Sequence, residues 1–397
     1  MMDPIVVLDI GTASIRVLAG EETDDGAMRV TGWARCPSDG MRKGVCQHIE
    51  NLAAAVQNAL RQAEDMADLD IQSVVLPLSG PGVFSQPYSN ELTVNGKVTH
   101  DHIRQILDEA AHSPHPANAE LLHNVPQDFR LDNLPGLNPV GLDGSVLGLD
   151  GLLIYGIRPQ MANIVRVVRG LKRDVQQPIY SGLASASACL DADQKRQGVL
   201  LLDIGDGLVD FLAYTNSQLS DAGVVPVGGR QVTNDIAHAF RLHPDAAEAL
   251  KIDHGDAIVN ATQRNQRIEV PDSPEPIKIK IPDLQTVIQL RMSEIFEIIR
   301  HRLEEQNRLH LLGDGVVLTG GGARLRNLVP LARKVFGLPC EIGSPNAPEL
   351  LLPNELLSPL WSSAVGALRI ARQQALDQAA RPGRFRRFLN WISGRDD

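Results

Sequence analysis

Two stretches of the chain share one pattern of apolar and polar positions. Residues 6–20 read VVLDIGTASIRVLAG and residues 200–214 read LLLDIGDGLVDFLAY. Aligned on LDIG they are identical at six of fifteen positions, with an offset of 194 residues, close to half the chain. Each copy is an apolar run, an Asp-Ile-Gly turn and a second run of alternating apolar residues. That pattern predicts a strand, a tight turn and a returning strand. Two such hairpins half a chain apart predict a duplicated α/β fold with a cleft between its halves.

Between the copies, residues 48–67 place Ile49, Leu52, Ala53, Val56, Ala59, Leu60 and Ala63 on one face, predicting an amphipathic helix. Residues 73–78 read as a buried strand ending at Ser79-Gly80. From about residue 84 to 160, Pro, Gly, Asn and His become frequent, with strand-like segments at 90–94 and 151–157. A helix at 99–112, capped by Thr99, separates them, and the whole reads as a small inserted subdomain. A further helix is expected over 160–173. After the second hairpin, 230–252 reads as helix with a break at Leu242-His243-Pro244, and 265–282 as a hairpin around a Pro-rich turn. Asp283 then caps a long helix reaching about Leu309, whose stripe of Leu284, Val287, Ile288, Ile295, Ile298, Ile299 and Leu303 is read as core. DGVVLTGGG at 314–322 is a strand opening into a glycine turn, with a helix at about 324–336. Ala/Gln-rich residues 371–380, with Arg381-Pro382-Gly383, read as a linker to a tail.

The 397 residues, 43% hydrophobic and 22% charged, suit two to three domains of roughly 150 residues each. A net charge of −10 excludes a general nucleic-acid binder, since phosphate binding needs a basic face. Residues 381–397 hold five arginines against Asp396 and Asp397, so a +3 tail hangs from a body of −13. Cys36, Cys46, Cys189 and Cys340 are scattered, as buried thiols in a reducing compartment would be, and Cys36, Cys46 and His48 lack a fourth zinc ligand. His100, His102, His112 and His115, in a polar, Pro-rich stretch, read as surface residues. MMDPIVVLDIG lacks the basic start of a signal peptide, and no apolar run approaches the ~18 residues of a membrane span. The body is expected to be cytoplasmic and soluble.

Hairpin turns of small residues let backbone N–H groups approach a phosphate, which makes Gly11, Thr12, Ala13, Gly205 and Gly207 candidate nucleotide contacts. Asp9 and Asp203, at strand ends facing the cleft, are candidates to hold Mg²⁺ through water. Gly320, Gly321 and Gly322 follow a strand and precede a helix, where backbone can approach a nucleotide. Lys251 completes the candidate set. Two hairpins and a late glycine turn, in this order, make a nucleotide clamp.

That order is similar to the actin, heat-shock-chaperone and sugar-kinase superfamily. More specifically, the chain resembles the FtsA family of bacterial actin-like cell-division proteins. The resemblance runs through LDIGTASIRVLAGE (8–21), CPSDGMRKG (36–44), HNVPQDFRLD (123–132), NPVGLDG (138–144) and SGLASASA (181–188). It continues through LLDIGDGLVD (201–210), TNDIAHAF (233–240), VVLTGGGARLRNL (316–328) and SSAVGAL (362–368). It implies an α/β, duplicated actin-like ATPase fold, two lobes around a cleft holding ATP and Mg²⁺, with an inserted α+β subdomain, 1C. The implied boundaries are 1A at 1–83, 1C at 84–162, 2A at 163–226, 2B at 227–305, and 2A again with a return to 1A at 306–370. A linker at 371–383 and an amphipathic membrane-targeting helix at 384–395 follow. The sequence departs from the family where the second hairpin is similar to DIGGGT-x-D: Asp206 replaces a glycine and Leu208 a hydroxyl. In the first hairpin, Ser14 stands where lysine is common. Two like charges ~4 Å apart cost ~1 kcal/mol in water and ~4 kcal/mol at an effective dielectric of about 20. Weakened ATP affinity or altered Mg²⁺ handling is expected, with hydrolysis weak or absent.

The tail reads RFRRFLNWISGR at 384–395. At about 100° per residue, Phe385, Phe388, Leu389 and Ile392 share a face bordered by Trp391. Arg386 and Arg387 lie opposite, and Arg384 opens the segment. Three of the chain's 15 aromatics fall here. Such a helix suits an anionic membrane surface, where each arginine adds ~1 kcal/mol and each buried large apolar side chain at most ~1.5–3 kcal/mol. The family further implies self-association into filaments, the FtsZ C-terminal peptide on 2B, and other division proteins on 1C. Arg291 and Arg300 are the candidate partner residues. The expected function is a cell-division protein that polymerises on the inner face of the cytoplasmic membrane and tethers the FtsZ ring there. A superfamily kinase or ATPase would need a catalytic constellation that the insert does not offer. A pilus-assembly-type actin-like scaffold would lack the basic tail.

Overall fold

The computed structural model describes residues 3–135, 138–176, 178–270 and 277–379. The tail candidates Arg384, Phe385, Arg386, Arg387, Phe388, Leu389, Trp391 and Ile392 lie outside them. Both hairpins form, with the same turn. Ile5–Ile10 pairs antiparallel with Ser14–Glu22, and Val199–Ile204 with Val209–Thr215. In each, a glycine N–H closes the turn: Gly11 donates to Ser14 O at 3.1 Å and Gly205 to Leu208 O at 2.9 Å.

In the first lobe these strands lie in a four-stranded sheet with Met28–Pro37 and Leu350–Leu351. Every residue of Ile5–Ile10 is buried because helices cover both faces. On one face the helix Ile49–Ala67 sets Leu52, Val56, Ala59, Leu60 and Ala63 against the sheet, as its periodicity predicts. The helix Arg158–Gly170 adds Ile164, Val167 and Val168 to the same core. Residues 163–170 therefore pack in the first lobe, and the expected start of 2A at residue 163 falls too early.

Between the lobes lie two helices of small residues, Ser181–Cys189 and Ser362–Ala379. A Cβ on Gly366 would sit 1.7 Å from Ala184 O, so the helices touch backbone to backbone. Small residues permit that approach; larger ones would separate the lobes. Residues 371–379 continue the second helix instead of starting a linker, since Ile370 and Ala371 still bury against the inter-lobe core.

The second lobe uses a nine-stranded sheet whose centre is Gln218–Val225, Val209–Thr215, Val199–Ile204 and Gly315–Thr319, in that order. The helices Gly229–Phe240, Pro244–His254 and Ile281–Glu305 pack on it, with Leu284, Ile288, Ile295, Ile299 and Leu303 in the core. Asp283 lies in the first turn of the long helix; Lys280 is the cap and the helix ends at Glu305. The insert has its own core around Ile106, Ala110, Leu149 and Tyr155. Its helix His100–Ala111 is capped by Thr99, whose hydroxyl accepts from His102 N. Its strands, Phe84–Lys97, Ala119–Leu131 and Asp143–Ile157, run longer than the expected segments and extend the second-lobe sheet through the pair Gly223–Phe84. All four cysteines are free thiols.

Candidate nucleotide cleft

The two hairpin turns face each other across a cavity of about 540 Å³. Asp9, Gly11, Thr12, Ala13, Asp203, Gly205, Gly207, Lys251, Gly321 and Gly322 all line it. Gly320 lies just behind, in the left-handed region at φ +83°, where a Cβ would stand 2.2 Å from Asp203 Oδ1. Only glycine lets this turn press against the second hairpin.

Contacts between the hairpin tips close one side of the cleft. Gly44 N donates to Thr12 Oγ1 at 3.0 Å, folding the 38–48 loop over the first turn. A Cβ on Gly207 would lie 2.6 Å from Thr12 Oγ1 and 2.8 Å from Lys43 Cα. Leu208, expected to lose a polar contact, instead packs on Gly44, where a Cβ would meet Leu208 Cδ1 at 2.4 Å.

Charge is divided unequally between the hairpins. Asp9 Oδ2 accepts from Arg16 Nη1 at 2.7 Å, yet burial still holds its pKa above the ordinary value against that arginine. Asp203 accepts from the Ser185 hydroxyl, and burial, with Asp9 adding, pushes it up to about 6. Asp210 stands opposite Asp203 in the strand pairing, accepts from Ser79, and is pushed to about 8 by burial and then by the Asp203 charge. Asp210 was not among the sequence candidates. The repeat itself points to it, because 194 residues separate it from Arg16.

Asp206 does not aim a bare charge into the cleft. Arg230 Nε donates to its carboxylate at 3.2 Å, and Arg230 N donates to its backbone oxygen at 2.7 Å. Lys251 donates to Glu248 Oε2 at 2.8 Å, Thr233 Oγ1 at 2.9 Å and Gly229 O at 3.1 Å. All three of its protons are engaged, so it braces two helices at the wall of the cavity. Arg291 forks onto Asp235, with Nη2 to Oδ1 at 3.0 Å, and also pairs with Glu294. Arg300 Nη1 donates to Val335 O at 3.2 Å and its Nε lies 3.6 Å from Glu304. Both arginines fasten the long helix to its neighbours.

A family model described as "Cell division protein FtsA" matches residues 200–366, and one described as "SHS2 domain inserted in FTSA" matches residues 80–155. The cell division protein FtsA of Escherichia coli (strain K12) is 34% identical over 388 residues, covering 95% of this chain and 92% of that protein. The chain belongs to the FtsA family. It is therefore an actin-like cell-division protein, and the FtsA insert is the subdomain built on Phe84–Lys97, Ala119–Leu131 and Asp143–Ile157. Solved structures agree on the fold. The PilM-PilN type IV pilus biogenesis complex aligns with TM-score 0.65 at 19% identity, over 92% of this chain and 98% of that one. MreB 5 of Spiroplasma citri bound to AMPPNP aligns with TM-score 0.59 at 14% identity, over 95% and 99%. Among the described residues of this FtsA-family chain, no helix is long and apolar enough to cross a membrane, and no group of three His, Cys, Asp or Glu side chains is placed to hold a metal.

Proposed function

We propose that the cleft binds ATP with Mg²⁺, that the chain assembles head to tail into filaments, and that residues 384–395 tether these and the FtsZ ring to the inner face of the cytoplasmic membrane. The observation that carries the nucleotide reading is the pair of identical glycine-closed turns facing one cavity, with the Gly320–Gly322 turn at its side. The residues present fit the ligand. Gly11, Gly205 and Gly207 leave the backbone open to a phosphate chain, and Arg16 supplies a partly buried cation beside it. Asp9 and Asp203 would hold Mg²⁺ through its waters and the phosphates, which suits an ion that dehydrates reluctantly and needs no protein cage. When bound, Mg²⁺ would offset phosphate charge next to the acidic second hairpin. Lys251 keeps the wall rigid and is not required to touch the nucleotide. The 227–305 segment would receive the FtsZ C-terminal peptide, and the insert would meet other division proteins or a neighbouring subunit.

The membrane half is tested with liposomes. The full chain should pellet with vesicles containing anionic lipid and less so at high salt, while a chain lacking residues 381–397 should stay in the supernatant. Pelleting of the truncated chain would end the tethering proposal.

A further inference from the structure

We propose that the insert is a lever whose tilt follows the state of the cleft, and that Asp221 is the catch that fastens it to the second lobe. This rests on the nucleotide reading above and assigns residues outside the cleft. The chain enters the insert from Pro77–Leu78 and leaves it into the helix Arg158–Gly170, so both covalent roots lie in the first lobe. A Cβ on Gly82 would stand 2.0 Å from Ile157 Cγ1, which puts the two roots in contact. They start beside the cleft, because Ser79 lines it and donates to Asp210 of the second hairpin. The insert's sheet contact, in contrast, is with the second lobe, and it is a single pair, Gly223 with Phe84. Side chains supply the other links. Ser85 Oγ donates to Asp221 Oδ1 at 2.9 Å and accepts from Ala222 N at 3.1 Å. Gln127 Nε2 donates to Leu219 O at 2.5 Å, and Gln218 donates to Asp128.

Asp221 is buried, and Arg302 of the long helix forks onto it, Nε to Oδ2 at 2.8 Å and Nη2 to Oδ1 at 3.0 Å. The same guanidinium lies over the Phe211 ring, 4.9 Å from its centroid. A buried carboxylate is costly without such partners. One side chain thus joins the insert, the strand Gln218–Val225 and the helix Ile281–Glu305. Rooted in one lobe and fastened to the other, the insert spans any movement between them. The inter-lobe helices touch backbone to backbone at Gly366, the kind of contact that shears in small steps. A turn of one lobe against the other must then tilt the insert or open the catch. One ladder pair and a few side-chain hydrogen bonds, each worth little net against water, give way before either core does. The catch, made or open, is the two-state element that coupling between sites requires. A ligand bridging both hairpins holds the lobes in one relation and keeps the catch made.

Hydrogen exchange of the full chain, read by mass spectrometry with and without ATP and Mg²⁺, tests this in wild type, Asp221→Asn and Ser85→Ala. In wild type, ATP should slow exchange at 5–16 and 199–209 in the cleft and, by about threefold or more, at 84–97 in the insert. Both variants should keep the cleft response and lose the insert response. Ser85→Ala removes a single hydroxyl, so its melting temperature should stay within about 4 °C of wild type, which shows that it folds. Slower exchange in the wild-type cleft with none in the insert would overturn the lever while leaving the nucleotide reading intact. An undiminished insert response in Ser85→Ala would do the same. No response to ATP anywhere in wild type would overturn the nucleotide reading, and the lever with it.

Discussion

Asp9 and Asp203 occupy the same place in two copies of one hairpin, but their cross-strand partners carry opposite charge. Asp9 pairs with Arg16, whereas Asp203 faces Asp210, and each partner lies seven residues beyond its aspartate. The hydrogen bond that closes the turn recurs, at 3.1 Å in the first copy and 2.9 Å in the second. Duplication preserved the turn and let the charge diverge. The first hairpin pairs its acid with an arginine, and the second sets two buried acids with raised pKa values against each other. A phosphate chain with its counter-cation is a ligand that satisfies both sides at once.

The strongest way to break this contrast is to remove the arginine that defines it. Arg16→Gln leaves Asp9 buried without a partner and should lower stability to denaturant by about 3–5 kcal/mol, with ATP affinity lost together. A smaller loss would mean that the first hairpin does not depend on its ion pair. The second hairpin should instead respond to pH. Asp203 and Asp210 hold protons in the folded state that the unfolded chain has released above pH ~4. Their contribution is fully present below that ordinary value and is lost as pH rises through about 6 and then about 8. Unliganded stability should therefore fall from pH 5 to pH 8 by more than ~1.4 kcal/mol, the equivalent of one pKa unit. Asp210→Asn should flatten the profile; an unchanged slope would show that another group titrates.

Steric changes at the tips come next. Gly207→Ala brings a methyl against Lys43 backbone and Thr12 and should cost about 1–3 kcal/mol in thermal or chemical unfolding. Smallest of all is Asp206→Gly, which should change the calorimetric ATP affinity less than about threefold, because half-exposed Arg230 already offsets the charge. A large gain in affinity would show Asp206 acting on the phosphates directly, as its charge alone suggests.

The hairpins and the amphipathic helix Ile49–Ala67 were legible because their apolar spacing matches one period cleanly. The helices Ser181–Cys189 and Ser362–Ala379 were not. In Ser181–Cys189 the Gly, Ala and Ser residues bury on all sides, so no polar face marks a period, and the close pass of the second helix at Gly366 is a tertiary fact. The insert strands were underestimated because register shifts near Asp150 and Ile154 break their alternation. In the cleft, turn chemistry identified the glycines and both strand-end aspartates. It missed Asp210 and the arginines, since a strand position shows its neighbours only once register is known. Lys251, Arg291 and Arg300 looked available as isolated charges; folding brings Asp235 of another helix to Arg291, while Lys251 and Arg300 pair with Glu248 and Glu304 one turn away on their own helices.

The central proposal, that the cleft takes ATP with Mg²⁺ and that the buried acid of the second hairpin helps hold the ion, is tested most directly by titrating ATP with Mg²⁺ and again with EDTA, in wild type and Asp203→Asn. The account predicts that wild type binds at least about tenfold tighter with Mg²⁺, and that Asp203→Asn loses most of that ratio while still binding ATP in EDTA. An equal Mg²⁺ dependence in both proteins would contradict it.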